Sequence, residues 1–265
     1  MFRTNFLKEK LTAGATVIGT WSVVPSVIVA DIISSSGLDF LIIDFEHGPV
    51  SFEKAQNMVI ACESRGVSPV IRVGGVIEPE VLRALDIGAH CLQVPNITRK
   101  EEIKALVTYA KYPPVGNRGF SPFTRAGNYS LEQAMELSSI ANAGVLLAVQ
   151  IEGQEAIANV EEIVKMEHVD IIFVGLFDIS KSMGVPGEVD HPKVITTLTG
   201  LIKSITDAGK YSGTIVTDLA QLQRCVDLGV KYITYSVDCE VLGKAYKHIE
   251  SAFRELAGRQ EKREC

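Results

Sequence analysis

The chain of 265 residues lacks the features that mark proteins of nucleic acid or membrane recognition. Its formal net charge is -6 at pH 7, so there is no excess of lysine and arginine for phosphate backbones or anionic lipids. No apolar run approaches the roughly 18 to 20 residues that span a bilayer, and residues 1–10 lack the apolar core of a signal peptide. We therefore expect a cytoplasmic protein that binds neither nucleic acid nor membranes.

Cysteine is scarce and scattered. The five cysteines are an odd number without a Cys-x-x-Cys pair, at positions Cys62, Cys91, Cys225, Cys239 and Cys265. This pattern provides neither a disulfide framework nor a zinc cage. We expect reduced thiols without a redox or zinc role.

The sequence also lacks the residues for two common features of barrel enzymes, an imine-forming lysine and a phosphate-binding loop. An imine-forming aldolase needs a lysine on a strand, but Lys210 and Lys231 precede strand-like runs and Lys181 follows one in a loop. The segments 216–218 and 237–239 lack the glycine-rich loops that bind phosphate in many barrels. We expect no Schiff base and a substrate without phosphate.

What is present is a regular alternation of short apolar runs and longer amphipathic ones. Continuous hydrophobicity, as in Phe40-Leu41-Ile42-Ile43, predicts parallel strands that are buried on both faces. The eight strand candidates are Thr16–Trp21, Phe40–Asp44, Ser68–Arg72, Cys91–Val94, Leu146–Gln150, Ile171–Gly175, Tyr211–Ile215 and Tyr232–Ser236. Helical patterns between them include Ser26–Ser35, Phe52–Arg65, Lys100–Lys111, Leu131–Ala143, Lys193–Asp207 and Leu219–Leu228.

Eight such units without a break in composition favour a closed (β/α)8 barrel over an open doubly wound sheet, the alternative fold. The length is close to the roughly 250 residues of one such barrel, so we expect a single domain over residues 1–265. The charged tail from Gly258 to Cys265 is expected to be frayed. Tyr112–Ser130, rich in proline, glycine and aromatics, is interpreted as a lid or rim loop.

Chemistry in these barrels takes place at the carboxyl ends of the strands, so polar residues that follow strand candidates are candidate site residues. Each of them could be only a helix cap or a surface ion pair. As a set, they predict carboxylates, one imidazole and one guanidinium around a barrel mouth. The set is Asp44, Glu46, His47, Arg72, Gln150, Glu152 and Asp178.

The residue types suggest roles. Glu152 and Asp178 follow adjacent strands, and two carboxylates with water and substrate oxygens suit an octahedral cation such as Mg²⁺ or Mn²⁺. His47 alone among five histidines follows a strand, which disfavours tetrahedral zinc, and it can transfer a proton near neutral pH. Arg72 can stabilise an oxygen that gains negative charge. Asp44 either holds the tautomer of His47 or is only buried.

Five spaced segments resemble the HpcH/HpaI family of class II pyruvate aldolases, which includes 4-hydroxy-2-oxoheptanedioate aldolase and 2-dehydro-3-deoxyglucarate aldolase. The resemblance extends from about Gly19 to Ala252. Its segments are Asp44-Phe45-Glu46-His47-Gly48, Val70-Ile71-Arg72, Tyr112-Pro113-Pro114-Val115-Gly116-Asn117-Arg118-Gly119, Gln150-Ile151-Glu152 and Val174-Gly175-Leu176-Phe177-Asp178-Ile179-Ser180.

The resemblance implies an aldolase that interconverts a 4-hydroxy-2-oxo acid with pyruvate and an aldehyde, through the enolate of pyruvate. It implies that Glu152 and Asp178 hold a divalent Mg, Mn or Co ion. Arg72 would stabilise the enolate oxygen, and His47 would serve the proton transfer. Gln150 would contact the keto acid.

The resemblance further implies that the backbone N–H groups of Phe177 and Asp178 receive the pyruvate carboxylate. Asp86 matches an acid that reaches the histidine of a neighbouring subunit. Such relatives are hexamers, trimers of dimers that exchange their last helix, here about Glu240 to Leu256.

One segment departs from the family pattern. The family usually reads Gly-Pro-x-Asp-Leu-Ser where this chain has Gly175-Leu176-Phe177-Asp178-Ile179-Ser180, which keeps the carboxylate and changes the pocket wall. Two alternative functions remain: decarboxylation of oxaloacetate, which yields the same enolate, and a catalytically silent assembly or regulatory barrel.

Overall fold

A computed structural model describes residues 4–132 and 134–261, and its eight parallel strands form one closed barrel. Each strand pairs with the next in chain order, and β8 returns to β1. The (β/α)8 prediction is confirmed, and the doubly wound alternative is wrong because it would leave two sheet edges unpaired. The strands are β1 (Val17–Ser22), β2 (Phe40–Asp44), β3 (Ser68–Arg72), β4 (Cys91–Val94), β5 (Leu146–Ile151), β6 (Ile171–Val174), β7 (Tyr211–Val216) and β8 (Tyr232–Val237).

Helices connect the strands, and several begin where a side chain caps the first turn. Ser26, Ser51 and Asp218 each accept a hydrogen bond from a backbone N–H three residues on. The helices of the described residues are α1 (Phe6–Thr12), α2 (Val27–Ser34), α3 (Phe52–Ser64), α4 (Glu78–Asp86), α5 (Lys100–Ala110), α6 (Ala134–Gly144), α7 (Gln154–Ala158), α8 (Val160–Ile163), α9 (Leu176–Ser182), α10 (Pro192–Asp207), α11 (Leu219–Asp227) and α12 (Asp238–Glu261). None of these helices is both long and apolar enough for a bilayer crossing.

Side chains alternate between two apolar layers along each strand. On β2, Phe40 and Ile42 belong to the cluster inside the barrel, while Leu41 and Ile43 belong to the layer beneath the helices. The same alternation continues to the strand ends, so Asp44, two residues after Ile42, has the inward parity. On β2 the inward positions thus change from apolar to ionisable as the strand approaches its carboxyl end.

The amino end of the barrel is closed by α1. Leu7 and Leu11 are buried against the interior cluster, and the Leu7 N–H donates to Ser68 Oγ at 2.9 Å. Asn5 Nδ2 donates to the carbonyls of His90 and Gly144, which precede β4 and β5. This end of the barrel is therefore sealed by side-chain to main-chain contacts.

The interpretation of Tyr112–Ser130 as a lid or rim loop is wrong. α5 leaves the carboxyl end of β4 and runs back to the amino end, where this segment follows it. There the Tyr112 N–H donates to Asn142 Oδ1 at 2.8 Å, and the Ala126 N–H donates to the Asp86 carbonyl at 3.0 Å. The segment packs at the end of the barrel opposite to the strand carboxyl ends.

The prediction of a frayed tail from Gly258 is wrong for residues 258–261. They continue α12, which ends at Glu261. Residues 262–265 lie outside the described residues.

Candidate active site

A cleft of about 270 Å³ opens at the carboxyl ends of the strands. Six of the seven residues in the strand-end set line it: Asp44, His47, Arg72, Gln150, Glu152 and Asp178. Apolar side chains form the remaining wall, chiefly Trp21, Phe173, Ile215 and Val237. Residues as far apart in the sequence as Trp21 and Val237 therefore meet in one cleft.

Arg72 is held by two carboxylates and an aromatic ring. Its Nε and Nη2 donate to the two oxygens of Asp44 at 2.8 and 2.6 Å, and its Nη1 lies 2.8 Å from Glu46 Oε2. The guanidinium lies over the ring of Trp21, 4.5 Å from its centroid. A two-pronged ion pair and a stacked face fix both the position and the plane of the charge.

Asp44 orders the loop after β2 as well as Arg72. Its buried carboxylate also accepts from the backbone N–H groups of Glu46 at 3.0 Å and His47 at 3.4 Å. Among the described residues, these contacts and Arg72 account for its hydrogen bonds, and the His47 imidazole is not one of them. The sequence suggested a tautomer-holding or a purely buried role for Asp44, whereas its contacts indicate a positioning role toward Arg72.

His47 lies at the rim of the same cleft. Its side chain is exposed, in contrast to the buried Asp44 and Arg72. An exposed imidazole at the rim can exchange protons with water or with a ligand in the cleft.

Glu152 is a partly buried carboxylate in negatively charged surroundings. Its Oε2 accepts from the Asn96 N–H at 2.9 Å, and its Oε1 accepts from Nε2 of Gln150. Burial raises the pKa of Glu152; the Asn96 hydrogen bond opposes this shift, and the neighbouring carboxylates Glu46 and Asp178 add to it. A cation bound beside Glu152 would offset this repulsion.

A glycine makes room for the Glu152 side chain. A Cβ at Gly175 would lie 2.8 Å from Glu152 Cγ and 3.0 Å from its Oε1, closer than atoms pack.

Asp178 lies in the first turn of α9 and is exposed, with Oδ1 3.7 Å from Lys181 Nζ. The two carboxylates thus reach the cleft from neighbouring strand ends.

These carboxylates suit a hard cation with an incomplete protein cage. Over residues 4–132 and 134–261, no group of three or more His, Cys, Asp or Glu side chains could hold a metal ion. Glu152 and Asp178 are two oxygen donors, and Mg²⁺ in proteins commonly takes one or two carboxylates and keeps several waters. The donor set therefore fits Mg²⁺ or Mn²⁺ and does not fit tetrahedral zinc.

Leu176 and Phe177, which replace the family's Pro-x, both line the cleft. Leu176 is 5% exposed and joins the layer beneath the helices, while Phe177 is 45% exposed. The backbone N–H groups of this first turn of α9 have no intrahelical partner and are available to an anion.

Asp86 lies elsewhere in the chain. It ends α4 at the amino end of the barrel, where Oδ1 accepts from Arg118 Nη2 at 2.6 Å. Burial raises the pKa of Asp86, and Arg118 opposes that shift. Within one chain, Asp86 does not meet His47.

The sequence analysis missed two residues of the site, Trp21 and Asn96. Trp21 stacks on Arg72, and Asn96 places its N–H on Glu152. Asn96 has a φ of 57°, a left-handed conformation that asparagine tolerates better than most residues. The strand-end rule, extended to β1 and β4, would have found both.

Ionisable side chains gathered in one cleft at the carboxyl end of a closed parallel barrel are typical of (β/α)8 enzymes. The chain belongs to the HpcH/HpaI aldolase/citrate lyase family, whose sequence model matches residues 18–245. The predicted family and the predicted lyase class are both confirmed.

Similar proteins agree with this assignment. The chain is 33% identical over 249 residues to a pyruvate aldolase of Rhizobium etli, which covers 94% of this chain and 97% of that protein. It is 31% identical over 252 residues to a hydroxypyruvate/pyruvate aldolase of Roseobacter denitrificans, covering 95% and 98%. The crystal structure of an HpcH/HpaI aldolase from Desulfitobacterium hafniense is similar with a TM-score of 0.89 and 28% identity, covering 94% and 97%.

Proposed function

We propose that this protein is a divalent-metal-dependent aldolase that interconverts a 4-hydroxy-2-oxo acid with pyruvate and an aldehyde. The observation that carries the proposal is a single cleft that presents the carboxylates of Glu152 and Asp178 together with the immobilised guanidinium of Arg72. The two relatives named as pyruvate and hydroxypyruvate/pyruvate aldolases support pyruvate as the common substrate.

Glu152 and Asp178 would hold the metal ion. A bound Mg²⁺, Mn²⁺ or Co²⁺ supplies positive charge that makes the methyl protons of pyruvate more acidic. The neighbouring carboxylates of Glu46 and Asp178 fit a cation beside Glu152, and Gly175 leaves the space that the Glu152 side chain occupies.

Arg72 stabilises the oxygen of pyruvate that gains negative charge as the enolate forms. Because Asp44 and Glu46 already hold the guanidinium, the charge needs little reorganisation during the reaction. Gln150 contacts the keto acid, and the N–H groups of Phe177 and Asp178 receive its carboxylate.

His47 moves the proton between the substrate and its surroundings. Asp86 pairs with Arg118 at the end of the barrel opposite to His47, so it can act on a His47 imidazole only in a second copy of the chain. We place Asp86 beside His47 of a neighbouring subunit, where it would orient the ring.

The last helix supports an oligomer. No residue of α12 from position 241 to 256 is buried, although every third or fourth one is apolar. Exposed apolar residues also lie on α2. This helix follows β1, and β1 pairs with β8, the strand that precedes α12. These residues are Val241, Leu242, Tyr246, Ile249, Phe253 and Leu256 on α12, with Ile28 and Ile32 on α2. Exchange of α12 between two copies would cover both faces, in a hexamer of three such dimers.

Two reagents test the metal mechanism. Incubation with EDTA should abolish aldol cleavage, and added Mg²⁺, Mn²⁺ or Co²⁺ should restore it, because the cleft offers hard oxygen ligands. Borohydride with pyruvate should leave no covalent adduct, since the described residues that line the cleft include no lysine. Activity that survives EDTA, or an adduct found by mass spectrometry, would contradict the proposal.

A further inference from the structure

Three hydrogen bonds in series cross the barrel interior toward the site. Tyr232 Oη donates to Gln93 Oε1 at 3.1 Å, Gln93 Nε2 donates to Gln150 Oε1 at 2.9 Å, and Gln150 Nε2 donates to Glu152 Oε1. Tyr232, Gln93 and Gln150 are each at most 1% exposed. Bulk water therefore does not compete for these bonds.

The two ends of the series set its direction. At one end Gln150 turns its NH₂ toward the carboxylate of Glu152 and its carbonyl toward Gln93. Gln93 must then turn its NH₂ toward Gln150 and its carbonyl toward Tyr232, whose hydroxyl donates. Burial raises the pKa of Tyr232 well above its ordinary value, so the donor proton stays on the hydroxyl.

The far end of the series is rigid. The ring of Tyr232 stacks on Phe40 at 4.2 Å with an interplanar angle of 11°, and it meets Phe173 edge-on at 6.1 Å. On β7, a Cβ at Gly213 would lie 2.8 Å from Tyr232 Cδ1, so only glycine leaves the space that the ring fills. Packing thus fixes where the hydroxyl of Tyr232 points.

We propose that Tyr232 and Gln93 are positioning residues that keep the amide of Gln150 turned with its second N–H toward the bound 2-oxo acid. The two orientations of a glutamine amide have almost the same shape, so hydrogen bonds decide between them. A reversed amide would set its carbonyl against Glu152 and lose a donor to the substrate. This inference rests on the proposed binding of the 2-oxo acid at Gln150.

Substrate affinity tests the proposal directly. Trp21 is the only tryptophan and lines the cleft, so its emission reports pyruvate that binds to the Mg²⁺-loaded enzyme. Gln93→Met should weaken pyruvate binding about tenfold and Tyr232→Phe about threefold, the size of one or a fraction of one hydrogen bond. KM should rise in parallel, with kcat changed by less than about twofold because the transition-state charge contacts are kept.

The double variant distinguishes one connected series of hydrogen bonds from two independent effects on pyruvate affinity. Once Gln93→Met has interrupted the series, Tyr232→Phe should have no additional effect on pyruvate affinity. The matched control is Tyr112→Phe, which removes a hydroxyl from another tyrosine that is 1% exposed, and it should bind as the wild type does. Tyr232→Phe removes one oxygen only, and it keeps the test available if Gln93→Met does not fold.

Wild-type affinity in folded Tyr232→Phe and Gln93→Met would overturn the inference, and so would a further threefold loss in the double variant. A wild-type enzyme that binds no pyruvate would instead contradict the proposed function itself.

Discussion

Arg72 and Lys111 are two buried cations at opposite ends of one barrel, and they are held in opposite ways. Arg72, 8% exposed, is surrounded by the carboxylates of Asp44 and Glu46 and faces the cleft. Lys111, 4% exposed, donates to the carbonyls of Asn142 at 3.0 Å and Val145 at 2.8 Å. Burial lowers the pKa of Lys111 to about 8.

The comparison separates chemistry from stability. Carboxylates hold the guanidinium of Arg72 in place, so its charge is available to a substrate. Lys111, at the end of α5, donates to main-chain carbonyls of α6 and of the residue before β5, and so joins these elements. Its own charge is destabilising, because burial removes it from water. In the proposed function the reaction takes place at the carboxyl end of the barrel, whereas α1 and the contacts of Lys111 close its amino end.

Arg72→Ala should give the largest change. It should lower kcat by about 10² to 10³, the range for loss of one donor that stabilises an oxyanion. Arg72→Lys should restore little, because a point charge reproduces neither the fork to Asp44 nor the stack on Trp21. A change in KM alone, in steady-state kinetics, would show that Arg72 does not act on the transition state.

Asp44→Asn should give the next largest change. The substitution keeps the shape of the side chain but weakens the ion pair that holds Arg72. We expect kcat to fall by about 10- to 100-fold, as when a catalytic group is slightly misplaced. The pH dependence of kcat should keep its form, since Asp44 contacts the backbone of His47 and not its imidazole. A shifted pH profile of kcat would indicate instead that Asp44 holds the tautomer of His47.

Leu176 and Phe177 should bias the enzyme toward small or partly apolar aldehydes. The pair lines the cleft and offers no side-chain hydrogen bond to hydroxyl groups. Phe177→Ala or Leu176→Pro should change the ratios of kcat/KM for glycolaldehyde, propanal and succinic semialdehyde by about tenfold, since an apolar wall discriminates modestly. Identical ratios in both variants and the wild type would exclude this role.

Lys111→Met should have the smallest effect on activity, with kcat within about twofold, and it should change the pH dependence of stability. The folded-state pKa of about 8 lies below the ordinary value of 10.5. Between these values the unfolded chain binds a proton that the folded chain does not, so wild-type stability should rise with pH through this window. Lys111→Met should lack this rise.

Urea unfolding of both proteins at several pH values checks this expectation. The difference in slope should not exceed about 1.4 kcal/mol per pH unit, the limit for one proton. Equal slopes in the two proteins, or a large loss of kcat in Lys111→Met, would contradict the assignment of Lys111 to stability and not to catalysis.

The barrel was predictable because each strand carries its own local signal. Phe40-Leu41-Ile42-Ile43 reads as a strand buried on both faces, and its period of two already gives Asp44 its inward parity. The cleft followed from the rule that strand carboxyl ends share one edge. Tyr112–Ser130 was misplaced because composition reports a long connection and not the end of the barrel at which it lies.

The contacts within the site were less predictable. Whether Asp44 holds His47 or Arg72 depends on side-chain directions that sequence spacing does not specify. The series from Tyr232 to Glu152 joins β8, β4 and β5, and no local pattern links these strands. Asp86 could be assigned only from the family, because its proposed partner belongs to another copy of the chain.

Exchange of the methyl protons of pyruvate in D₂O, followed by proton NMR without an aldehyde, tests the central claim most directly. It isolates enolate formation from the choice of aldehyde. We predict that the Mg²⁺-loaded wild type exchanges these protons, and that EDTA stops the exchange. Exchange that continues unchanged in EDTA would contradict a metal-dependent pyruvate aldolase.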